Sequence, residues 1–336
     1  DRHHIERYGR QGDPANPADF ARALQQAEAE VRFQLNMIET GEAFYEEDIV
    51  LLKKITEEVF PEVMDHPIFN AAFDGNGLNA NYLHELITLI APPMSFGVRP
   101  KPNMNAVYKI FDIFLEGGRI PSMNPETGKM WSSRPAGREG LEVIQSMIDQ
   151  IGIRGTMKWL TEQHPVSELR AMKRSTNVFE DTQAMNVPGT ETDMKMGAYI
   201  LGKKGGPYFL NLNGYDVLTS DLWDARSFNR PFGRMTGPGA VAKSGLKDSP
   251  VEAERGLMIE FNQELANRVN KKQMATQAIR WYYEQKLFHS QGQANAQPTK
   301  LSDGATHFRD NVGRRSTRDG GGSVQRTEET PARGVG

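Results

Sequence analysis

Two adjacent lysines, Lys203 and Lys204, sit in the glycine-rich stretch "GAYILGKKGG", residues 197–206, and Asp221 follows Lys204 by 17 residues. Three chemistries use side chains of these types. The first is phosphate binding by a P-loop, G-x-x-x-x-G-K-[ST], whose hydroxyl holds magnesium and whose glycines follow a strand. Gly197, Gly202 and Lys203 fit that pattern, but Lys204 stands where the hydroxyl belongs. The intervening Ala198, Tyr199, Ile200 and Leu201 are apolar, as a helix face is, and no strand pattern precedes them. The second chemistry is zinc. "LHELIT", residues 83–88, begins as an H-E-x-x-H helix does, but the second histidine is replaced by Thr88. The histidines are otherwise scattered, and cysteine is absent, so no metal site and no cofactor are expected.

The third chemistry needs two helices and a tight turn. "KMGAYILG" reads as the end of a helix with Met196, Tyr199 and Ile200 on its apolar face and Gly202 as C-cap. "KKGG" is then the turn, and "PYFLNLNG" a second helix opened by Pro207 and closed by Gly214. Backbone N–H groups in such a turn form a concave nest suited to one phosphate of a nucleic-acid backbone. "YDVLTSD" is a loop, with Thr219 or Ser220 capping the next helix and Asp221 in its first turn.

These residues resemble the signature of the helix–hairpin–helix DNA glycosylase superfamily, L-x-G-[VI]-G-x-[KRST]-x-A followed by a helix and [VP]-D-x-[HN]-[VM]-x-R. "LGKKGG" stands for the hairpin, with Gly202 as its second glycine and Gly206 at the small-residue place. "TSDLWDAR" stands for the aspartate segment. The resemblance implies a nucleophilic lysine at Lys204, the carboxylate at Asp221, and phosphate contacts from the hairpin (Gly202, Lys203, Gly205, Gly206). The phrasing from "ILGKKGG" through "GRMTG" to "TQAIRWYYEQKLF" also resembles glycosylase-like modules of large polyvalent proteins of phages and plasmids. It covers residues 76–290. The departures are Ile200 for the first hairpin glycine, Pro207 after Gly206, and Trp223 where histidine or asparagine is usual.

A glycosylase takes a base out of the stack and stabilises positive charge on the sugar as the glycosidic bond breaks. Asp221 is the expected stabiliser. An attacking amine must be neutral, a state that burial and a neighbouring cation favour, and Lys203 is next to Lys204. Trp223, Trp281 and Tyr282 are the expected stacking platforms, and Arg226, Arg230 and Arg234 the expected phosphate ligands. Residues 195–235 hold six Lys/Arg against three Asp, while the whole chain carries a formal charge of −3. Any DNA contact therefore depends on this local patch. Each residue also has a structural reading: Asp221 as a first-turn acid, the lysines as solvated charges, Trp223 and Phe228 as core.

Positioning these groups falls to helices. Phe20, Leu24, Ala27, Val31, Leu35 and Ile38 recur at helical spacing after Pro17. "YEEDIVLLKKITEEVF" reads as a second helix, "NANYLHELITLIAPPM" as one stopped by Pro92 and Pro93, and "PNMNAVYKIFDIFLEGG" as one bounded by Pro102 and Gly117-Gly118. Residues 250–290 read as one long helix or a pair. No run of alternating β-branched residues stands out, so the expected fold class is all-α.

The division expected is a flexible arm (1–16), an N-terminal helical extension (17–75), the glycosylase-like helical domain (76–290) and a disordered tail (291–336). The tail has seven Lys/Arg, five Asp/Glu and few large apolar residues. A mean hydropathy of −0.58 and the lack of a long apolar run predict no membrane partner. The start at Asp1 suggests a piece of a longer polypeptide. The expected function is action on a flipped base in DNA, by N-glycosidic cleavage or base modification, in a phage or mobile element. The protein would then work in the host cytoplasm or with the virion. The alternative is a non-catalytic DNA-binding or structural all-α module.

Overall fold

The computed structural model describes residues 11–37, 40–61, 63–72, 80–96, 98–132, 134–234, 252–290, 292 and 298–316. The fold is all-α. Helix α1 is Pro17–Leu35. Asn16 caps it, its side-chain oxygen accepting from the Ala18 and Asp19 N–H groups, and Pro17 occupies the first turn, where no hydrogen bond is lost. Then come α2 (Glu47–Val59), α3 (Pro67–Ala72), α4 (Ala80–Met94) and α5 (Pro100–Gly117). The long α6 (Pro135–Thr161) is broken at Gly152, whose φ of 73° is left-handed.

Next, β1 (Gln163–Pro165) pairs antiparallel with β2 (Met194–Met196), enclosing α7 (Val166–Ser175) and α8 (Asp181–Ala184). A 3-10 turn at Gly197–Leu201 leads into α9 (Gly202–Leu212). Helix α10 (Leu222–Asn229) continues as a 3-10 turn at Arg230–Phe232. Helices α11 (Glu252–Val269), α12 (Gln273–Ser290) and α13 (Leu301–Ser316) complete the described chain.

Two large apolar cores, with a small third cluster of Val166, Leu169 and Val187, organise the described residues. The larger joins α2, α4, α5, α6, α9 and α13, with Leu86, Ile90, Phe111, Phe114, Ile144 and Phe209 fully buried. The smaller joins α1 to α10 and α11 through Leu24, Val31, Phe228, Phe232, Phe261 and Leu265. Helix α12 belongs to both: Met274, Ala278 and Tyr282 face the larger core, and Ile279 the smaller. That placement follows from helical spacing, because residues one apart point to different sides.

Several expectations change. A short strand pair exists where none is visible in the sequence; three residues per strand is too brief for an alternation to register. Helix α4 runs through Pro92 and Pro93 to Met94, although neither proline can donate to the carbonyl four residues back. Of the one helix or pair expected for residues 250–290, the described residues 252–290 form the pair, broken where Asn270 adopts φ 54°. Part of the expected disordered tail is helix α13, which packs Leu301, Ala305 and Phe308 into the larger core. The expected helical extension is no separate layer, since α1 and α2 supply residues to the two cores. The described end of the arm is also docked: Gly12 N–H donates to Phe232 O at 2.8 Å. Residues 1–10 and 317–336 lie outside the described residues. No helix among the described residues is long and apolar enough to cross a membrane.

Candidate active site

Asp221 is the N-cap of α10, one position ahead of where the sequence reading puts it, and Thr219 and Ser220 do not cap. Its Oδ1 accepts from Trp223 N–H at 2.9 Å and Asp224 N–H at 3.0 Å. Its Oδ2 lies 3.8 Å from Lys204 Nζ. Lys204 is in the first turn of α9, and its Nζ also donates to Ser95 O at 3.0 Å. The side chains of Lys204 and Asp221 are 26% and 23% exposed, so the pair meets solvent at a rim.

That rim opens a cavity of about 620 Å³. Such a volume suits a small organic ligand. Phe44, Phe96, Tyr208, Trp223 and Trp281 supply aromatic surface to its wall. The charge is lopsided. Arg99, Arg134, Lys203, Lys204 and Arg255 line it, against the single carboxylate of Asp221 among the described residues. Arg99 and Arg134 are the N-cap residues of α5 and α6, each followed by proline, and neither helix has a side-chain cap. Helix N-termini carry partial positive charge, so α5, α6 and α9 add to the field of the cations.

Glycines bring these helix starts together. A Cβ on Gly140 of α6 would lie 2.9 Å from Pro93 Cβ at the end of α4. On Gly206 of α9 it would lie 2.5 Å from Ala198 O. Gly205 faces the Phe96 ring. Gly205 and Gly206 are therefore close-approach residues, buried against protein, and not the open phosphate cradle that the sequence suggests. Gly202 does end the preceding turn, with φ 88°, but that turn is 3-10, and "KKGG" is the first turn of α9 and not a hairpin.

The other expected residues divide. Lys203, Trp223 and Trp281 line the cavity. Tyr282 does not; it is 3% exposed and packs against Phe44, so it is core and not a stacking platform. Arg226 lies over Trp223 and Phe288, at 4.6 and 4.5 Å from their ring centres. Arg230 is withdrawn from any phosphate. Its guanidinium grips both oxygens of Glu30 at 2.6 Å, and its Nε donates to Glu284 at 2.8 Å. Arg234 likewise pairs with Glu254 at 2.7 Å. In each case a partner distant in sequence claims the cation.

Below the rim, Asp224 is fully buried beside Asp221 on α10, and burial pushes its carboxyl up to about 7 despite the nearby Arg280. His84 is also buried, on α4, which holds it down at about 4. No group of three or more His, Cys, Asp or Glu able to hold a metal ion occurs among the described residues.

The sequence reading misses Arg99, Arg134, Arg255, Phe96 and Asn103. The repeated Arg-Pro at two helix starts, "VRPKP" and "SRPAG", is the signal that marks the first two. The others have no local signature.

Against known proteins, 97 residues of the chain are 24% identical to GTP cyclohydrolase 1 of Streptococcus sanguinis (strain SK36), covering 28% of this chain and 53% of that protein. The chain thus spans about half the length of the curated relative it matches. No family model matches the chain, and no solved structure matches it.

Proposed function

We propose that this chain binds DNA in a glycosylase-like manner and acts on a base flipped into the cavity beside Lys204 and Asp221. The observation that carries this is the amine and the carboxylate, 3.8 Å apart, at the mouth of an aromatic-walled, cation-rich cavity. A flipped nucleotide brings a flat ring for the aromatic wall and a phosphate for the cations. The broader likeness to helix–hairpin–helix glycosylases, and a phage or plasmid setting in a longer protein, belong to the same proposal.

The chemistry follows from the two groups. As the bond between C1′ and the base breaks, the base leaves with the electron pair and takes a proton. Positive charge grows on the sugar, and Asp221 Oδ2 stabilises it. Lys204 gives one proton to the leaving base, its amine then attacks C1′ to form the N–C1′ bond, and a second proton passes from that nitrogen to the ring oxygen as the C1′–O4′ bond breaks. Opening of the sugar ring then gives an iminium that borohydride reduces to a stable secondary amine.

A second reading has its own support. Asp221 Oδ1 caps α10, and Lys204 ties α9 to Ser95, so the pair also fastens helices together. On that reading the chain is a binding module without catalysis. Borohydride trapping on duplexes with damaged or modified bases separates the two. A covalent adduct with the natural chain, absent in Lys204→Ala, is the expected result. Salt-sensitive binding with no adduct on any substrate sinks the lysine mechanism.

A further inference from the structure

Asn103 is a polar group on the cavity wall that the chemistry above leaves unused. It lies in the first turn of α5, is 1% exposed, and lines the cavity. Its Nδ2 donates to Ala91 O at 3.3 Å, which orients the amide. Its Oδ1 is buried with no hydrogen-bond partner in the protein. Buried acceptors are rarely left so, because the lost hydration is not repaid. Gln277, another buried amide on this wall, is satisfied at both ends: its Oε1 accepts from Thr219 N–H, and its Nε2 donates to Thr219 O.

The surroundings say what kind of donor Asn103 awaits. Lysine and arginine side chains have no acceptor, so the cations of the wall cannot read a ring N–H. Asn103 Oδ1 can. The last torsion of an asparagine is soft, so a modest rotation of the amide turns this oxygen to an incoming donor.

We propose that Asn103 reads the base: its Oδ1 accepts a hydrogen bond from a ring N–H or amino group of a nucleobase held in the cavity. This rests on the reading of the cavity as a base site. The contact sets specificity, because a base without a donor at that place leaves the buried oxygen unpaired.

The test uses the full chain and duplexes bearing one unpaired T, C, A, G or abasic analogue, with free nucleoside monophosphates as a separate arm. The natural chain is expected to bind at least one base-bearing duplex about tenfold more tightly than the abasic one, the size of a single hydrogen-bond contribution. Asn103→Leu removes that preference and keeps abasic binding, and Asn103→Asp, which retains an acceptor, keeps the preference. Methylating the N–H of the preferred base abolishes it with the natural chain alone, whatever the variants' folding. The assignment is overturned if Asn103→Leu retains full base preference. It is equally overturned if the natural chain neither prefers a base over the abasic analogue nor binds a free nucleotide. If no duplex binds but a free nucleotide does, and Asn103→Leu loses it, Asn103 keeps its role and the DNA reading falls instead.

Discussion

Asp221 uses its two oxygens differently, and substitutions separate the uses. Oδ1 holds the start of α10, and Oδ2 faces Lys204. Asp221→Asn keeps a capping oxygen and loses the charge, so stability should change little while catalysis falls by at least tenfold. Asp221→Ala loses the cap as well and should cost about 1 kcal/mol in denaturant unfolding. Equal activity in the natural chain and Asp221→Asn would remove the carboxylate from the mechanism. Its neighbour Asp224 makes a pH prediction. Its ordinary value of 3.8 rises to about 7 on folding because burial disfavours the charged form. The folded chain therefore holds a proton that the unfolded chain releases between these values. That contribution is full below about pH 4 and is lost as the pH rises through 7. Asp224→Asn, neutral at every pH, should match the natural chain below about pH 4 and melt progressively higher than it from there to pH 8. A parallel pair of melting curves across that range would show that Asp224 does not titrate there. The wall residues were unequally legible in sequence: Lys203, Lys204 and Asp221 lie in one readable stretch, while Asn103 and Arg255 reach it only through folding.

Helices fix these side chains more than local motifs do. The 3-10 turn before α9 replaces the hairpin expected from the sequence because Gly206 packs against Ala198 O, a closeness no side chain permits. Helix α13 shows the opposite failure. Its sequence is polar, but three residues at helical spacing, Leu301, Ala305 and Phe308, meet α2 and α5, so packing supplies what composition lacks. Phe308 stacks on Tyr108 with ring centres 5.3 Å apart. Phe308→Ala should therefore cost about 3 kcal/mol in urea unfolding. A loss near zero would mean that α13 is not part of the stable core in solution. Arg230 illustrates the same lesson. It reads as a phosphate ligand from its neighbours in sequence, but Glu30 on α1 and Glu284 on α12 reach it from far along the chain.

At the scale of the whole molecule, the cavity is assembled from the starts of α5, α6, α9 and α10, together with Arg255 of α11 and Ala278 and Trp281 of α12. Arg230 and Arg234 are internally paired and add nothing to the phosphate footprint, so the footprint proposed for the cavity is small. The slope of log affinity against log salt for a DNA duplex should be no steeper than about −4, as about four neutralised phosphates dictate. A slope near −8 would point to a broad surface outside the cavity. The sequence by itself determined the helical class, because apolar spacing and proline and glycine punctuation act over one or two turns. It also determined the lysine and the aspartate that meet, because their stretch is short. Only the tertiary structure decided which cations serve the cavity, which aromatic rings are core, and that Asn103 joins the wall. Those outcomes depend on partners tens to hundreds of residues away, and no local pattern records who those partners are.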